Sequence, residues 1–299
     1  MATFGTDGSD TFGGTAGSDE YFALAGDDLV DGAGGDDFLD LGPGGDLGDG
    51  GDGADFLIGA AGDDRLSGEA GNDSLFGGTN VDNFSSGADS IEGGAGNDLA
   101  LGGDGNDLLD GGPGDDEVNG NTDVDLVLGG EGADFVRGGQ GEDVVYGGPG
   151  DDWHVNGNLG QDLVHGEDGD DTVLGGQGHD TVYGDAGDDL IYGDLGSDLL
   201  EGLEGNDTLF GGATVDRFYF RTGNGQDVVA DFDVGEDRIM LEGDINDSQI
   251  DNDADAIAAL SAVAGGTLLR LSMDGNQFVL ILNVTPAQLL PIHFEFFTF

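Results

Sequence analysis

Cysteine and lysine are absent from this 299-residue sequence, and its permanently charged basic side chains are six arginines. Without cysteine, the chain has neither disulfides nor thiolate chemistry. Six bases against 64 acids give a formal net charge of −58. Nucleic acids and anionic membrane surfaces attract basic groups, so neither is an expected partner.

Long apolar runs are absent as well. No segment reaches the ~20 apolar residues that a membrane-spanning helix needs. The amino-terminal MATFGTDGSD has neither a charged leader nor an apolar stretch of signal-peptide length. We therefore expect no membrane insertion and no amino-terminal signal peptide.

Glycine is abundant, with 64 residues, about three times the usual share of ~7%. Low hydrophobicity combined with so much like charge normally produces a disordered chain. Either the chain is disordered or a cation neutralises it, and the periodicity of the sequence decides between the two.

A nine-residue period runs through most of the chain. Units with glycine first and fourth, aspartate sixth and an apolar residue eighth recur, with few exceptions, 24 times over roughly residues 5–219. A two-residue deletion near residues 82–89 and a one-residue insertion near residues 153–161 interrupt the period, and the repeats could divide at either place. The eighth position holds His154 beside the insertion, where we expect a packed histidine or a local shift.

Each position of the unit has a physical reason. Glycines three residues apart allow positive φ angles in a tight loop. The residues after the aspartate form a short strand, in which the eighth faces inward and the seventh and ninth face outward. Because one inward residue per unit cannot make a core, the units must stack, and two units would close one turn of a parallel β-solenoid with turns ~4.8 Å apart.

Stacking also places the aspartates of successive turns close together. Unneutralised, they would repel one another in partly desolvated surroundings. Carboxylates beside loops with exposed carbonyls suit calcium, which takes six to eight oxygen ligands, whereas zinc or copper would favour histidine or cysteine. The alternative is that the aspartates only cap turns, which would require neither the fixed period nor the paired glycines.

The units resemble the G-G-x-G-x-D-x-φ-x repeat of RTX (repeats-in-toxin) proteins, for instance GGAGNDLAL (93–101), GGQGEDVVY (138–146) and GGQGHDTVY (175–183). The resemblance implies an all-β fold, a right-handed parallel β-roll with multiple Ca2+ ions held between the loops of adjacent turns. Carried over residue by residue, it implies the following metal ligands: Asp10, Asp19, Asp28, Asp37, Asp55, Asp64, Asp73, Asp98, Asp107, Asp116, Asp134, Asp143, Asp152, Asp162, Asp171, Asp180, Asp189, Asp198 and Asp207. Asp46, Asp82 and Asp89 lie in irregular units and are doubtful ligands.

After residue 219 the period stops, so we predict a calcium-binding roll over residues 1–219 and a carboxyl-terminal cap over residues 220–299. In the cap, the sequence predicts two strands within 223–241, a helix over 252–264, a hairpin of TLLRLS and FVLIL, and a short helix starting at Thr285. The pattern of Asp227, Asp231, Phe232, Gly235, Asp237 and Ile239 is similar to the terminal segment of serralysin-type RTX proteins. That resemblance implies a type I export signal, hence a secreted protein that passes through a type I exporter; the alternative is a purely structural cap.

No enzyme is expected. The sequence contains no HExxH, so we expect no serralysin-type protease domain, and look-alikes of G-x-G-x-x-G arise trivially from glycine repeats. The ladder aspartates are already explained, and a narrow filled roll offers no catalytic pocket.

Apolar residues at the outward-facing positions of the repeat indicate an interaction surface. Assigning alternate units to one sheet stacks apolar seventh-position residues and flanks them with apolar ninth-position residues, namely Leu108, Leu126, Val144 and Leu163 with Leu128, Tyr146 and Tyr183. Unless loops or the carboxyl-terminal segment cover it, such a face marks an interaction surface. We therefore expect a structural, self-assembling component of an extracellular matrix or surface layer. A calcium-dependent adhesin or module binding extracellular polysaccharide, and a passive export and folding chaperone, are the alternatives.

Overall fold

A computed structural model describes residues 1–78, 87–221, 225–242, 260–263, 266–270, 278–289 and 294–297. The chain divides into two compact units, Met1–Gly150 (unit 1) and Asp151–Phe299 (unit 2). Each unit consists of short strands in two sheets, and consecutive strands alternate between the sheets as far as residue 242. The all-β parallel roll predicted from the sequence is confirmed in both units.

The strands of unit 1 are β1 (Thr3–Phe4), β2 (Thr11–Gly13), β3 (Glu20–Phe22), β4 (Leu29–Asp31), β5 (Phe38–Asp40), β6 (Leu47–Asp52), β7 (Phe56–Ala60), β8 (Arg65–Ala70), β9 (Ser74–Gly78), β10 (Ser90–Glu92), β11 (Leu99–Asp104), β12 (Leu108–Pro113), β13 (Glu117–Thr122), β14 (Leu126–Glu131), β15 (Phe135–Gln140) and β16 (Val144–Tyr146). Odd-numbered strands form its first sheet and even-numbered strands its second sheet.

The strands of unit 2 are β17 (His154–Gly160), β18 (Leu163–Asp168), β19 (Thr172–Gly178), β20 (Thr181–Ala186), β21 (Leu190–Gly196), β22 (Leu199–Glu204), β23 (Thr208–Phe210), β24 (Arg217–Phe220), β25 (Gln226–Val229), β26 (Arg238–Glu242), β27 (Leu260–Val263), β28 (Gly266–Arg270), β29 (Phe278–Leu282) and β30 (Phe294–Phe297). Its first sheet has the order β17-β19-β21-β23-β25-β29-β28-β27, and its second sheet the order β18-β20-β22-β24-β26-β30.

In the repeat region of each unit, the core is built mainly from one inward residue per strand. Parallel partners lie two nine-residue units apart, as in Leu109 beside Val127. Their flanking residues point outward, so each strand alternates between buried and more exposed positions. Stacked eighth-position residues fill the interior: Leu39, Leu57, Leu66, Leu75, Ile91, Leu109, Val118, Val127, Val136 and Val145 in unit 1, and Val164, Val173, Val182, Ile191, Leu200, Leu209 and Phe218 in unit 2.

The deletion near residues 82–89 coincides with a change in the offset between strand partners. Ser90 pairs with Arg65 and Leu99 with Ser74, so the offset across this region is 25 residues instead of 18. Asp89 therefore takes the ladder position that uninterrupted counting gives to Asp82. Asp82 itself lies outside the described residues.

The insertion near residues 153–161 produces the local shift. Val155 is fully buried and pairs with Val173, so it occupies the inward position that counting assigns to His154. His154 is half-buried beside it. Trp153 is 62% exposed.

Parallel pairing continues beyond residue 219. β25 pairs with β23 and β26 with β24, and these are the two strands predicted within 223–241. The predicted hairpin is confirmed, since β28 and β29 pair antiparallel. The division into segments at residue 220 stays a prediction.

Two helix predictions in this region are wrong where the structure describes them. Leu260–Val263 is a strand that pairs antiparallel with β28, because sheet pairing overrides the weak helical spacing of the sequence; residues 252–259 lie outside the described part of the chain. At Thr285, where the sequence predicts a short helix, the Gln288 side-chain oxygen accepts the Thr285 N–H at 2.9 Å. The backbone there makes one turn and not a helix.

Across the part of the chain that the structure describes, no helix is long and apolar enough to span a bilayer.

Candidate calcium centre

The sixth-position aspartates form ladders that connect successive turns. The Oδ1 atom of each aspartate accepts a hydrogen bond from the backbone N–H of the aspartate one turn earlier, as Asp125 does from Asp107 at 2.8 Å. The same contact recurs from Asp171 to Asp189 at 2.9 Å. Hydrogen bonds to a charged acceptor are stronger than neutral ones, so these contacts hold the loops in register.

Each unit has two such ladders. In unit 1 they are Asp10, Asp28, Asp46, Asp64, Asp89, Asp107, Asp125 and Asp143, and Asp19, Asp37, Asp55, Asp73, Asp98, Asp116 and Asp134. In unit 2 they are Asp152, Asp171, Asp189, Asp207 and Asp227, and Asp162, Asp180, Asp198, Asp216 and Asp237.

The second carboxylate oxygen has no such contact. In most ladder aspartates the Oδ2 atom is buried and has no hydrogen-bond partner; these are Asp28, Asp37, Asp46, Asp55, Asp64, Asp73, Asp89, Asp98, Asp107, Asp116, Asp125, Asp171, Asp180, Asp189, Asp198 and Asp216. Leaving a buried charged group unpaired is costly. A repeated array of such atoms therefore implies a ligand that the protein groups do not themselves provide.

Burial shifts the protonation of these carboxyls. It raises the pKa of Asp64, Asp125 and Asp189 to about 8 in each case. The hydrogen bond from the preceding turn opposes the shift, and the charges of neighbouring aspartates, such as Asp89 beside Asp64, add to it. At neutral pH without a cation, the folded ladder therefore holds protons that the unfolded chain would release.

In most repeats a first-position glycine keeps a space open beside the Oδ2 atom, as Gly184 does beside Asp189. A Cβ on Gly193 would lie 2.7 Å from Asp198 Oδ2 and 2.6 Å from the carbonyl oxygen of Gly211 in the next turn. A carboxylate oxygen and a backbone carbonyl thus converge on a space that any side chain would fill. Both are hard oxygen donors of the kind that Ca2+ prefers, so the residues fit this ion.

Backbone carbonyls are a necessary part of this donor set. Among the described residues, no group of three or more histidine, cysteine, aspartate or glutamate side chains converges as a metal cluster. Zinc sites need three or four such side chains. A calcium ion can take most of its oxygens from the loop backbone.

Two of the described loops lack the fourth-position glycine but keep a positive φ angle there. Asp123 and Thr214 occupy that position with φ angles of 77° and 87°, in the left-handed region that glycine normally supplies. The aspartates that follow them, Asp125 and Asp216, are buried like the others.

The structure places every aspartate predicted as a ligand in one of the four ladders, with Asp10 and Asp19 half-buried at their starts and the others buried. Sequence reasoning left out Asp46, Asp89, Asp125, Asp216, Asp227 and Asp237, which the structure adds to the ladders. A signal for the last two was visible. GQDVV (225–229) and GEDRI (235–239) keep the glycine, aspartate and apolar spacing of the repeat at intervals longer than nine.

Replacing Asp125 with asparagine tests whether a ladder carboxylate binds an ion. Asp125→Asn keeps an oxygen that can accept the Asp107 N–H but removes the charge. We expect fewer bound Ca2+ ions per chain and a calcium-loaded fold less stable by on the order of 1.5–3 kcal/mol. Ion counting by equilibrium dialysis and thermal unfolding in millimolar calcium measure both effects.

Asp123→Asn is the matched control, because Asp123 is exposed two residues away and asparagine tolerates its left-handed backbone. It should change neither the ion count nor the melting temperature by a comparable amount. Equal effects of the two substitutions would show that only overall charge matters.

Stacked oxygen-donor loops define a calcium-binding parallel β-solenoid. The family described as RTX calcium-binding nonapeptide repeat (4 copies) matches residues 4–39, 13–47, 49–83, 85–118, 119–153, 156–191, 165–200 and 192–227. These matches cover well over half of the chain, so the chain belongs to the RTX calcium-binding nonapeptide repeat family. It is a calcium-binding protein, and proteins of this family are typically secreted.

Other comparisons are more distant. None of the curated proteins matches the chain. Among solved structures, the extracellular lipase LipA from Serratia marcescens is similar with 15% sequence identity and a TM-score of 0.28. The similarity spans 84% of this chain and 39% of the lipase chain.

Proposed function

We propose that this protein is a secreted, non-catalytic structural component that folds on binding calcium outside the cell and then self-associates through the outward faces of its sheets. The observation that carries the proposal is a continuous series of ring contacts among phenylalanines at two neighbouring outward positions of the first sheet of unit 1, here called the phenylalanine ladder: Phe4, Phe22, Phe38, Phe56 and Phe76.

The rings of this ladder contact one another from strand to strand. Centroids lie 5.4 Å apart between Phe38 and Phe56 and 4.9 Å apart between Phe56 and Phe76. The row stays accessible, with Phe4 64% and Phe56 36% exposed. A contiguous apolar surface of this kind on a soluble protein marks an interaction site.

Ring orientation favours a protein partner over a sugar. Phe38 and Phe56 are stacked with an interplanar angle of 9°, as Phe4 and Phe22 are at 14°. Stacked neighbours cover each other's faces and leave ring edges toward solvent. Edges can pack against apolar side chains, whereas binding a sugar would use an open ring face.

Leucines of the predicted outward surface lie on the second sheet of unit 1 and form a further apolar surface. Leu108 and Leu126 are direct neighbours and are 43% and 38% exposed. Val144 continues the row but is half-buried. Leu163 and Tyr183, predicted in the same surface, are half-buried on the second sheet of unit 2.

Phe38→Gln/Phe56→Gln tests the proposal in millimolar calcium. Removing two central rings should weaken self-association at least tenfold, as measured by sedimentation velocity over a range of concentrations. Val124→Gln/Val215→Gln is the matched control, because both valines are exposed in loops away from the ladder. A wild-type protein that stays monomeric at every concentration would contradict the proposed function.

A carbohydrate-binding role is the second candidate, favoured by one groove in unit 2. It has a volume of about 450 Å3 and carries amide and carboxylate groups with two leucines: Asn156, Asn158, Gln177, Asp194, Leu159 and Leu195. Nearby, the Trp153 and His154 rings are 6.2 Å apart, and His154 Nε2 lies 3.3 Å from Asn156 Nδ2. Calcium-dependent glycan-array binding that Trp153→Ala abolishes would favour this role.

Export through a type I exporter is part of the proposal, and the support is the serralysin-like pattern after residue 226. Of that pattern, Asp227 and Asp237 are ladder aspartates, and Phe232 is buried against Phe218 at 6.0 Å. Deleting residues 220–299 should abolish release into the medium from cells that express an exporter. Equal release of the truncated chain would contradict this route.

A further inference from the structure

Two arginines stand side by side on the outer face of unit 2. Arg217 and Arg238 are direct partners on neighbouring strands of the second sheet. Like charges opposite each other destabilise a sheet, and this chain has only six arginines among 64 acids. An anionic partner would therefore reduce the repulsion between these two adjacent side chains.

Neither arginine is neutralised by a carboxylate of the described residues. Arg217 is exposed and makes no side-chain ion pair there. Arg238 donates from Nη1 to the backbone carbonyls of Glu236 and Asp237, at 2.8 Å and 2.7 Å. Arg221, in contrast, is paired with Glu201, its Nη2 lying 2.6 Å from Oε2. Arg217 and Arg238, the arginine pair, are thus available to an external anion.

A surface of opposite character lies on the second sheet of unit 1. A groove of about 570 Å3 there combines two exposed leucines with four carboxylates, and we call it the acidic strip: Leu29, Leu47, Asp31, Asp49, Glu69 and Glu92. One cation, Arg65, also lines the groove and makes no ion pair among the described residues.

One carboxylate of the acidic strip lacks a partner. The Asp49 Oδ1 atom is buried and has no hydrogen-bond partner. Burial, then the charges of Glu69 and Asp31, raise the pKa of Asp49. An approaching cationic group would relieve the repulsion among these carboxylates.

The two surfaces match in spacing. Asp31 and Asp49 are direct partners on neighbouring strands, as Arg217 and Arg238 are. Both pairs are therefore separated by the same inter-strand distance of ~4.8 Å. The arginine pair is preceded in its row by Leu199, and the acidic strip carries Leu29 and Leu47, so each surface also offers apolar contact.

We propose that the arginine pair of one copy docks on the acidic strip of a second copy of this chain. Because the two surfaces differ, the contact is heterologous, and such contacts repeat into rings or open filaments. This inference rests on the proposed function, since it names one contact through which the self-association grows. Calcium in the ladders reduces the mutual repulsion of two chains that each carry −58.

Two charge-reversal variants, measured separately and then mixed, test the contact. Arg217→Glu/Arg238→Glu and Asp31→Arg/Asp49→Arg are each expected to stop growth at a small discrete oligomer in millimolar calcium, as measured by sedimentation velocity. Mixing the two variants should restore association between them by at least tenfold over either alone. Raising the salt concentration should weaken the wild-type contact.

Controls separate this inference from the proposed function. Asp7→Arg/Glu142→Arg makes the same charge change at exposed loop positions and should leave growth unchanged. Circular dichroism and ion counts in calcium verify that each variant folds. If Arg217→Glu/Arg238→Glu does not fold, Arg217→Gln/Arg238→Gln is the milder variant to use.

The outcomes are distinct. If the wild type grows and both reversals grow equally, the docking is overturned while self-association stands. If the wild type is monomeric, the proposed function fails first. Dextran sulfate is the probe for a polyanion at the arginine pair: binding that Arg217→Glu/Arg238→Glu abolishes, with growth unchanged, would also overturn docking between copies.

Discussion

In excess chelator, the chain should lose its β-structure. Both ladders of each unit bury carboxylates one turn apart, and their Oδ2 atoms have no protein donor, as at Asp107 and Asp116. Without a cation, burial and repulsion oppose folding along the whole repeat region. Far-ultraviolet circular dichroism with chelator should show coil, and adding calcium should restore the β signal cooperatively, because each turn contacts only its neighbours.

The midpoint of that titration should lie near the ~10⁻⁴–10⁻³ M affinities of extracellular calcium modules, where binding and folding are one event. Magnesium is the first control, since its smaller octahedral shell suits the loops poorly. Sodium chloride at equal ionic strength is the second control, since it screens exposed charges but supplies no divalent cation for the buried carboxylates. A chain that stays folded in chelator, or that folds equally well in sodium chloride, would contradict a calcium-built fold.

Lowering the pH should partly replace calcium in stabilising the fold. The folded pKa values of Asp64, Asp125 and Asp189 are raised to about 8, whereas an unfolded aspartate titrates near ~3.9. A raised acid pKa stabilises the fold below the unfolded value, and that contribution is lost as pH rises through the folded value. The calcium-free chain should therefore gain β signal when pH falls from 8 to about 4.

The calcium-bound chain should respond in the opposite sense. Protons and calcium compete for the same carboxylates, so the calcium midpoint should rise as pH falls from 8 to 6. Circular dichroism titrations at several pH values measure both responses. A calcium midpoint independent of pH over this range would mean that the buried aspartates are not the groups that bind the ion.

Much of the site could be predicted because the repeat is local. The glycine–aspartate–apolar spacing fixes the loop, the carboxylate and the inward residue within one unit, and Asp107 and Val127 lie where that spacing places them. Stacking identical units then brings the aspartates together whatever the rest of the chain does.

The nine-residue count assigned the wrong residue at the deletion and at the insertion, where more than one strand register was possible. Asp89 joins the ladder because β10 pairs with β8 across a 25-residue offset. Val155 replaces His154 because an apolar side chain fills the interior at lower cost than an imidazole. Neither choice is visible in one unit, since each depends on the strands above and below.

By itself, the sequence determined the parallel roll, its nine-residue loops, the buried aspartates and the donor chemistry that selects calcium, because all of these repeat within two units. Only the tertiary structure decided the continuation of the ladders through Asp227 and Asp237, the strand at Leu260–Val263, the ring contacts among five phenylalanines, and the adjacency of Arg217 and Arg238. These features join residues from different turns, so their positions follow from strand register, which is set by pairing energy summed over a whole sheet.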